Sequence, residues 1–497
     1  MICGILLALV VDNTPGGVAA GDPPGNEGKK TMTGSHSFLR SIAIRAGLPG
    51  FLAVLLLFPC AAPGGGTPVD FPEAMARAMK NNPFLKAAGE EWAAAKMDAK
   101  VARGYYLPSL TFEERFVRTN VPAEVFAFKI NQERLLLSDF ASVDNFNKPP
   151  PINEYLSTFT VEQTLFAPKV YLGYRMAGRE AAAKGLELRR MMEEVAHRVL
   201  SAYLDTLTAK EYVRVAIQGR EDAQEHHRIA EAKERSGMGL SSDVLRAKVS
   251  FAAAESGMVS AENRLALAQQ GLALAMGETG GTGVDAAGVL PSLPEEGPLP
   301  DRIAAALAGR LDLRAFSLRV ENAAANVDAQ RSDYLPTVGL TGAWQTDGQD
   351  GVFSPDNRSW KVGVGLRWNL FDGLRREAEV ARASAESGKA KAYYRGAQDQ
   401  AAYQVTRAFL GVKDAGRRVE IARSATAAAE EGKRLIQSRY ENQLARIVDL
   451  LDAQAALNTA RADLVKAEND LRQSRAELLF ASGTLLSWAL PGSEEKR

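Results

Sequence analysis

Catalysis needs nucleophiles, bases or metal ligands that converge, and this 497-residue chain offers few. Its two cysteines, Cys3 and Cys60, lie in the N-terminal leader, so processing leaves no thiol for catalysis, disulfides or iron–sulfur ligation. Three histidines remain beyond that leader, His197, His226 and His227, all on helical stretches. A zinc site needs three or four converging ligands, whereas adjacent positions such as His226 and His227 point about 100° apart on a helix. Both read as solvated polar positions. There is no Walker A loop, no nucleophile elbow with its partners and no dinucleotide fingerprint. The glycine runs at 64–66 and 280–281 sit in a leader and a linker, where flexibility explains them. Neither an enzyme nor a cofactor is expected. The remaining candidates are electrostatic. Asp449 and Asp452 lie three apart on one helix face, just after a break around Asn442 to Arg446. Gathered at a constriction by several copies, such carboxylates raise cation occupancy and repel anions. Acids in a first helical turn also simply favour the helix dipole.

The elements that would position these acids begin after the leader. Lysine plus arginine equals aspartate plus glutamate at 60 each, so no basic field argues for nucleic acid and no acidic excess for disorder. No run beyond the leader reaches the roughly 18 apolar residues of a spanning helix, so any membrane crossing would be made by strands. Residues 32–66 read as a signal peptide, with Arg40 and Arg45 as the positive region, Leu48 to Phe58 as the apolar one and Ala61-Ala62 as a cleavage zone. Residues 1–31 then look like an upstream misread start, although Ile2 to Val11 could form a weak leader. Lipidation at Cys60 is the alternative to plain cleavage, but Phe58 and Pro59 are poor residues for its small positions.

The chain is written twice. Leu85-Lys86-Ala87 leads to Tyr106-Leu107-Pro108, and Leu313-Arg314-Ala315 leads to Tyr334-Leu335-Pro336, a shift of 228 positions in both pairs. Asp243, Ala247 and Gly277 recur as Asp449, Ala453 and Gly483, displaced by 206. This sets a first repeat at 67–277, a linker at 278–300, a second repeat at 301–483 and a tail at 484–497. Each repeat reads helix, strand, loop, strand, very long helix, break, second helix, glycine. Trp360, Val362, Val364, Leu366, Trp368 and Leu370 alternate with polar or small residues, as a lipid-facing barrel strand does. Thr337 to Trp344, Leu110 to Val117 and Phe159 to Leu165 read as its companions, with Glu114 and Gln163 falling on the apolar face. One such hairpin alone would equally suit a soluble sheet. Thr119 to Glu154 and Asp347 to Asn357 read as long outer loops.

After Phe166 and again after Phe371 a helical pattern runs for nearly seventy residues, roughly 100 Å at 1.5 Å per residue. Val195, Val199, Ala202, Thr206, Ala209, Val213 and Ala216 form a seam at coiled-coil spacing, repeated by Val405, Phe409, Val412, Gly416 and Val419. Four strands cannot close a barrel, since membrane barrels need about eight and leave no open edge in lipid. Two copies would give eight strands and three would give twelve.

Over about Val69 to Gly483 the chain resembles the TolC-like outer-membrane efflux protein family. The resemblance rests on the Asn81-Asn82-Pro83 opening, the two Tyr-Leu-Pro motifs, Trp368-Asn369-Leu370-Phe371-Asp372-Gly373-Leu374-Arg375 and Val448-Asp449-Leu450-Leu451-Asp452-Ala453. It implies a mixed α and β membrane protein: a homotrimer with a twelve-stranded outer-membrane β-barrel, four strands per protomer, continued by a periplasmic α-helical barrel. Implied partners are outer-membrane lipid, a periplasmic adaptor protein and an inner-membrane transporter. By the same resemblance Asp449 and Asp452 match an aspartate ring at the channel constriction. Ser242, Asp243 and Tyr440 match residues that hold the entrance shut. The family's tip arginine falls on Ala445, with Arg446 one position on, so the closing salt bridge is expected to be rewired or absent. Adaptor contacts are implied for Gly237, Met238, Gly239 and Leu240, and for Asn442, Gln443 and Leu444. The expected function is a passive export duct of a tripartite efflux or type I secretion system. The alternative is a non-conducting coiled-coil scaffold that spans the periplasm, for which strands with lipid-like faces have no use.

Overall fold

A computed structural model describes residues 67–278, 283–288, 290–294, 297–353 and 357–490. The upstream extension, the signal peptide with Cys60, and the end of the tail lie outside the described residues. In chain order the elements are β1 (Thr67–Val69), α1 (Phe71–Asn81), α2 (Pro83–Gly104), β2 (Ser109–Thr119), α3 (Pro122–Asn131), α4 (Asp144–Asn147) and β3 (Ile152–Phe166). The long helix α5 (Pro168–Arg235) and α6 (Ser241–Ala275) complete the first half. The second half runs β4 (Val284–Ala286), α7 (Leu299–Gly309), α8 (Leu311–Arg331), β5 (Thr337–Gly348), β6 (Arg358–Arg367), α9 (Arg375–Glu441), α10 (Ile447–Ala481) and α11 (Leu485–Ala489). None of the described helices is long and apolar enough to cross a membrane.

β2, β3, β5 and β6 form one antiparallel sheet in that order, so β2 and β6 are its edges. Alternation of side chains sorts the sheet into two faces. On one, Phe112 opposes Phe159, Phe159 opposes Trp344 and Trp344 opposes Trp360, with Val362, Val364 and Leu366 continuing along β6. On the other stand Thr111, Arg115, Thr158, Thr160, Glu162, Thr341, Lys361 and Arg367. Glu114, the acid on the apolar face, is matched by its cross-strand partner Ser157, whose hydroxyl donates to it. The strand expected to reach Leu370 stops at Arg367. Trp368 lies beyond it and donates its indole N–H to the Tyr334 carbonyl at 3.1 Å.

The span expected as one loop from Thr119 to Glu154 is a correction. It holds α3, a 3-10 turn at Leu137–Phe140 and α4, and β3 already begins at Ile152. Helices of four to ten residues are too short to print a periodic pattern. Interlocking phenylalanines and local caps hold them instead.

The two halves use the same joint where short helices meet long ones. Asn82 ends α1 and starts α2; its carbonyl oxygen Oδ1 accepts from the Phe84 amide at 3.0 Å while Nδ2 donates to the Ala275 carbonyl at 3.2 Å. Arg310 sits likewise between α7 and α8 and donates Nη1 to the Ala481 carbonyl at 3.3 Å. Gly277 and Gly483 follow α6 and α10 with φ of 78° and 70°, the left-handed region where glycine costs least. A side chain on Gly277 would lie 2.8 Å from the Asn82 Cα. Beside this joint, β1 and β4 pair in parallel, and α1 and α11 pack with α5 around the fully buried Tyr203 and Leu485. The linker and the tail thus each contribute an ordered piece.

α5 and α9 run for 68 and 67 residues, about 100 Å each. Their seam residues Val195, Val199, Thr206, Val405, Val412 and Val419 are buried, as coiled-coil spacing implies. Two further stripes have no partner among the described residues. Leu245, Val249, Val259, Leu267 and Leu274 on α6, and Tyr403, Leu410, Ile421 and Leu435 on α9, are 49% to 73% exposed.

Candidate functional site at the helix reversals

Both long helices reverse in the same way. The Met238 amide donates to the Lys233 carbonyl and the Gly237 amide to that of Glu234, at 2.9 and 2.8 Å. In the second half the Leu444 amide donates to the Arg439 carbonyl and the Gln443 amide to that of Tyr440, at 2.8 and 3.2 Å. This double bond pattern needs one residue in the left-handed region. Gly237 supplies it at φ 76°, and Gln443, its counterpart at the shift of 206, at φ 63°. Met238, Leu240 and Leu444 project outward, 65%, 67% and 77% exposed. Gly239, Asn442 and Gln443 complete the turns, and Gln443 Nε2 lies 3.8 Å from Met238 Sδ, bringing the two reversals together.

Beneath the turns Ala230, Ala247, Tyr440, Ile447 and Leu450 form a buried cluster, with Ala445 packed at its edge. The position where the resemblance places an arginine is therefore a core contact. Arg446 starts α10 and is spent within it: its amide donates to Asp449 Oδ2 at 3.0 Å and its Nη2 to Oδ1 at 3.2 Å. That amide first, and the guanidinium second, hold the Asp449 carboxyl below its usual range. Asp452, one turn on, is exposed and has no hydrogen-bond or ion-pair partner among the described residues. Of the two acids, only Asp452 carries an uncompensated charge.

Ser242 is exposed, and Asp243 sits in the first turn of α6 with its amide bonded to the Leu240 carbonyl. Neither donates to or accepts from Tyr440. Burial raises the pKa of the Tyr440 hydroxyl, and the charge of Asp243 adds to the shift. The direct partner of Tyr440 is Lys233, whose Nζ donates to the Tyr440 carbonyl at 2.8 Å and lies 3.8 Å from the centre of its ring. This contact ties the end of α5 to the end of α9 and is absent from the expected set. The only local signal was a cation in the last turn of a helix, where it suits the dipole.

One layer further from the turns, α5, α9 and α10 enclose a polar group. Gln454 Nε2 donates to Asp222 Oδ2 at 2.9 Å and to Asn458 Oδ1 at 3.0 Å, and Lys433 Nζ lies 3.9 Å from Asp222. His226, expected to be solvated, is 4% exposed, and neither of its ring nitrogens has a hydrogen-bond partner among the described residues. Burial pushes its pKa down, as Lys433 also does, while Gln454, Asp222 and Glu225 oppose the shift. His197 pairs with Glu477 at 3.1 Å and stacks on Phe480. His227 lies 3.8 Å from Glu231.

Residues 74–278 and 303–484 match the family model described as outer membrane efflux protein. The chain belongs to the outer membrane efflux protein family. It is similar to protein CyaE of Bordetella pertussis, 28% identical over 320 residues, which cover 64% of this chain and 67% of that one. It is 23% identical over 428 residues to the alkaline protease secretion protein AprF of Pseudomonas aeruginosa, covering 82% and 83% of the two chains. Among solved structures, the outer membrane protein VceC of Vibrio cholerae superposes with a TM-score of 0.69 at 19% identity, over 83% of this chain and 96% of that one. The open state of the Neisseria gonorrhoeae MtrE outer membrane channel superposes with a TM-score of 0.68 at 18% identity, over 84% and 89%. The fold of this outer membrane efflux protein is that of TolC-like channels. Its two helix reversals lie at the end of the long helices away from the sheet.

Proposed function

We propose that the chain is one protomer of a homotrimeric outer-membrane export duct, with its sheet in the lipid and its long helices in the periplasm. The observation that carries this reading is the four-stranded sheet, apolar on one face and polar on the other, with a free edge on each side. In hydrocarbon every strand edge must be paired. Antiparallel order allows β6 of one copy to take β2 of the next, and repetition closes the ring. The bare stripes lie on α6 and α9, the outer helices of a row in which α6 packs on α5, α5 on α10 and α10 on α9, so a neighbouring copy on each side would cover both. Three copies make a twelve-stranded barrel over a twelve-helix tunnel.

Substrate then passes through water without covalent chemistry, driven by an inner-membrane transporter. The exposed Met238, Leu240 and Leu444 at the reversals suit docking of a periplasmic adaptor, with Gly237, Gly239, Asn442 and Gln443 shaping the turns. In the trimer Asp452 supplies three uncompensated carboxylates at the constriction, while Arg446 offsets Asp449. The entrance is held shut by the Lys233–Tyr440 link, with Asp243 and Ser242 alongside. Light scattering of the detergent-purified protein tests the assembly. A mass of three chains is expected, and a folded monomer would overturn the reading.

A further inference from the structure

The segment joining β2 to β3 carries more apolar surface than a connection between two strands needs. Phe126, Phe140 and Phe146 pack as a triad with ring centroids 5.6 to 6.3 Å apart. Asp139 locks the turn between them, accepting from the Leu136 amide at 2.9 Å and from Lys129 Nζ at 2.7 Å. One edge is left bare: Leu137 is 92% exposed, Val143 73%, Leu136 64% and Phe140 55%. Four large apolar side chains left this bare on one short connection mark a surface that something covers.

The anchor of this segment decides which way it faces. Gln132, only 2% exposed, donates Nε2 to the Asn153 carbonyl at 2.8 Å and to the Glu154 carboxylate. Glu154 is 1% exposed and shares its face of β3 with Leu156, Thr158, Thr160 and Glu162. That is the polar face, which a sheet in lipid turns toward its bore. The segment therefore folds over the bore side of the sheet, at the end away from the long helices. It also springs from β2, the edge strand whose free side takes the neighbouring copy, so it is carried directly into the ring of contacts between copies.

The geometry points to residues 122–147 as an outer cap whose apolar edge meets the same edge on neighbouring copies, narrowing the bore at its outer mouth. The duct then has a second barrier, at the end opposite the helix reversals. This inference rests on the trimeric reading above.

The test is cross-linking in outer-membrane vesicles. Leu137→Cys places a thiol on the cap edge, beyond both natural cysteines, at a position exposed enough to leave folding unchanged. A second protein carrying Leu267→Cys and Leu410→Cys reports on the α6 and α9 flanks. Oxidation with copper phenanthroline is applied to the first and a bismaleimide to the second. Covalent dimers from both proteins are expected, with the Leu137→Cys yield falling several-fold when Gln132→Ala removes the anchor. Dimers from the flank pair alone would overturn the cap and leave the trimer standing. So would a Leu137→Cys thiol that is shielded from maleimide yet never cross-links, because lipid or a foreign protein then covers the edge. No dimers from either protein would overturn the assembly and the cap together.

Discussion

Replacing Lys233 with methionine keeps the length of the side chain and removes its charge, and so isolates the link between the two helix pairs. The ammonium makes one charge-assisted bond, 2.8 Å to the Tyr440 carbonyl, and sits 3.8 Å over the ring. A hydrogen bond to a charged group contributes up to about 3 kcal/mol, but Lys233 is partly open to solvent, which reduces this to about 1 kcal/mol. The ring contact adds about 0.5 kcal/mol at such a site. The loss is then about 1.5 kcal/mol per protomer, or about 4.5 kcal/mol if three copies open together. At about 1.4 kcal/mol per factor of ten, the closed-to-open ratio falls roughly a thousandfold. Single-channel recording in planar bilayers reads this directly as open probability. Lys233→Arg, which keeps the charge, is expected to retain most of the closure, and Lys248→Met, at an exposed position on α6, to change nothing. A folded Lys233→Met trimer with the open probability of the native protein would refute the latch.

Three further outcomes follow from local geometry. Gly277→Ala forces a side chain into φ 78° and within 2.8 Å of the Asn82 Cα, whereas Gly483→Ala at φ 70° meets the Arg310 Cγ at 3.2 Å and its backbone Cα only at 3.4 Å. Both lose about 1–2 kcal/mol to the backbone, and thermal unfolding in detergent should show Gly277→Ala falling further through its contact with backbone. Gln443→Gly relieves about 1–2 kcal/mol of left-handed strain against about 0.5–1 kcal/mol of added chain freedom, so the same melt should show a small gain, reversed in sign by Gln443→Val. Because burial puts the folded pKa of His226 below its usual 6.5, the unfolded chain takes up the proton first as pH falls. Stability tied to this residue is whole above pH 6.5 and declines below it. Melting temperatures of native and His226→Gln protein from pH 7 to 5 should show a shallower decline in the variant.

The strands and long helices were legible because each prints its period over many residues: Trp360 to Leu366 alternates without interruption, and α9 runs for 67 residues with no proline. The helix ends were legible where glycine marks them, at Gly237, Gly277 and Gly483. Gln443 falls in the break read around Asn442 to Arg446, but its residue type does not announce the left-handed backbone that Gly237 supplies in the first half. What stayed hidden depends on partners distant in sequence. His226 reads as a polar surface residue until α9 and α10 close over it, and Lys233 meets Tyr440 across 207 positions. Arg446 was identified as displaced from the expected arginine position. That it would pair with Asp449 in its own helix, leaving Asp452 as the uncompensated acid, depends on side-chain geometry that a helical wheel does not contain. The folded segment between β2 and β3 was missed because its helices are short and its order comes from phenylalanines and a buried glutamine.

The most direct test of an ion-conducting duct is the current carried across a planar bilayer by the purified protein, compared between native, Asp449→Ala and Asp452→Ala proteins, each also in the Lys233→Met background. Stepwise cation-selective current is expected, with selectivity reduced strongly by Asp452→Ala and weakly by Asp449→Ala. A folded trimer that passes no current at any voltage, even with Lys233 replaced, would contradict the duct and leave a non-conducting scaffold.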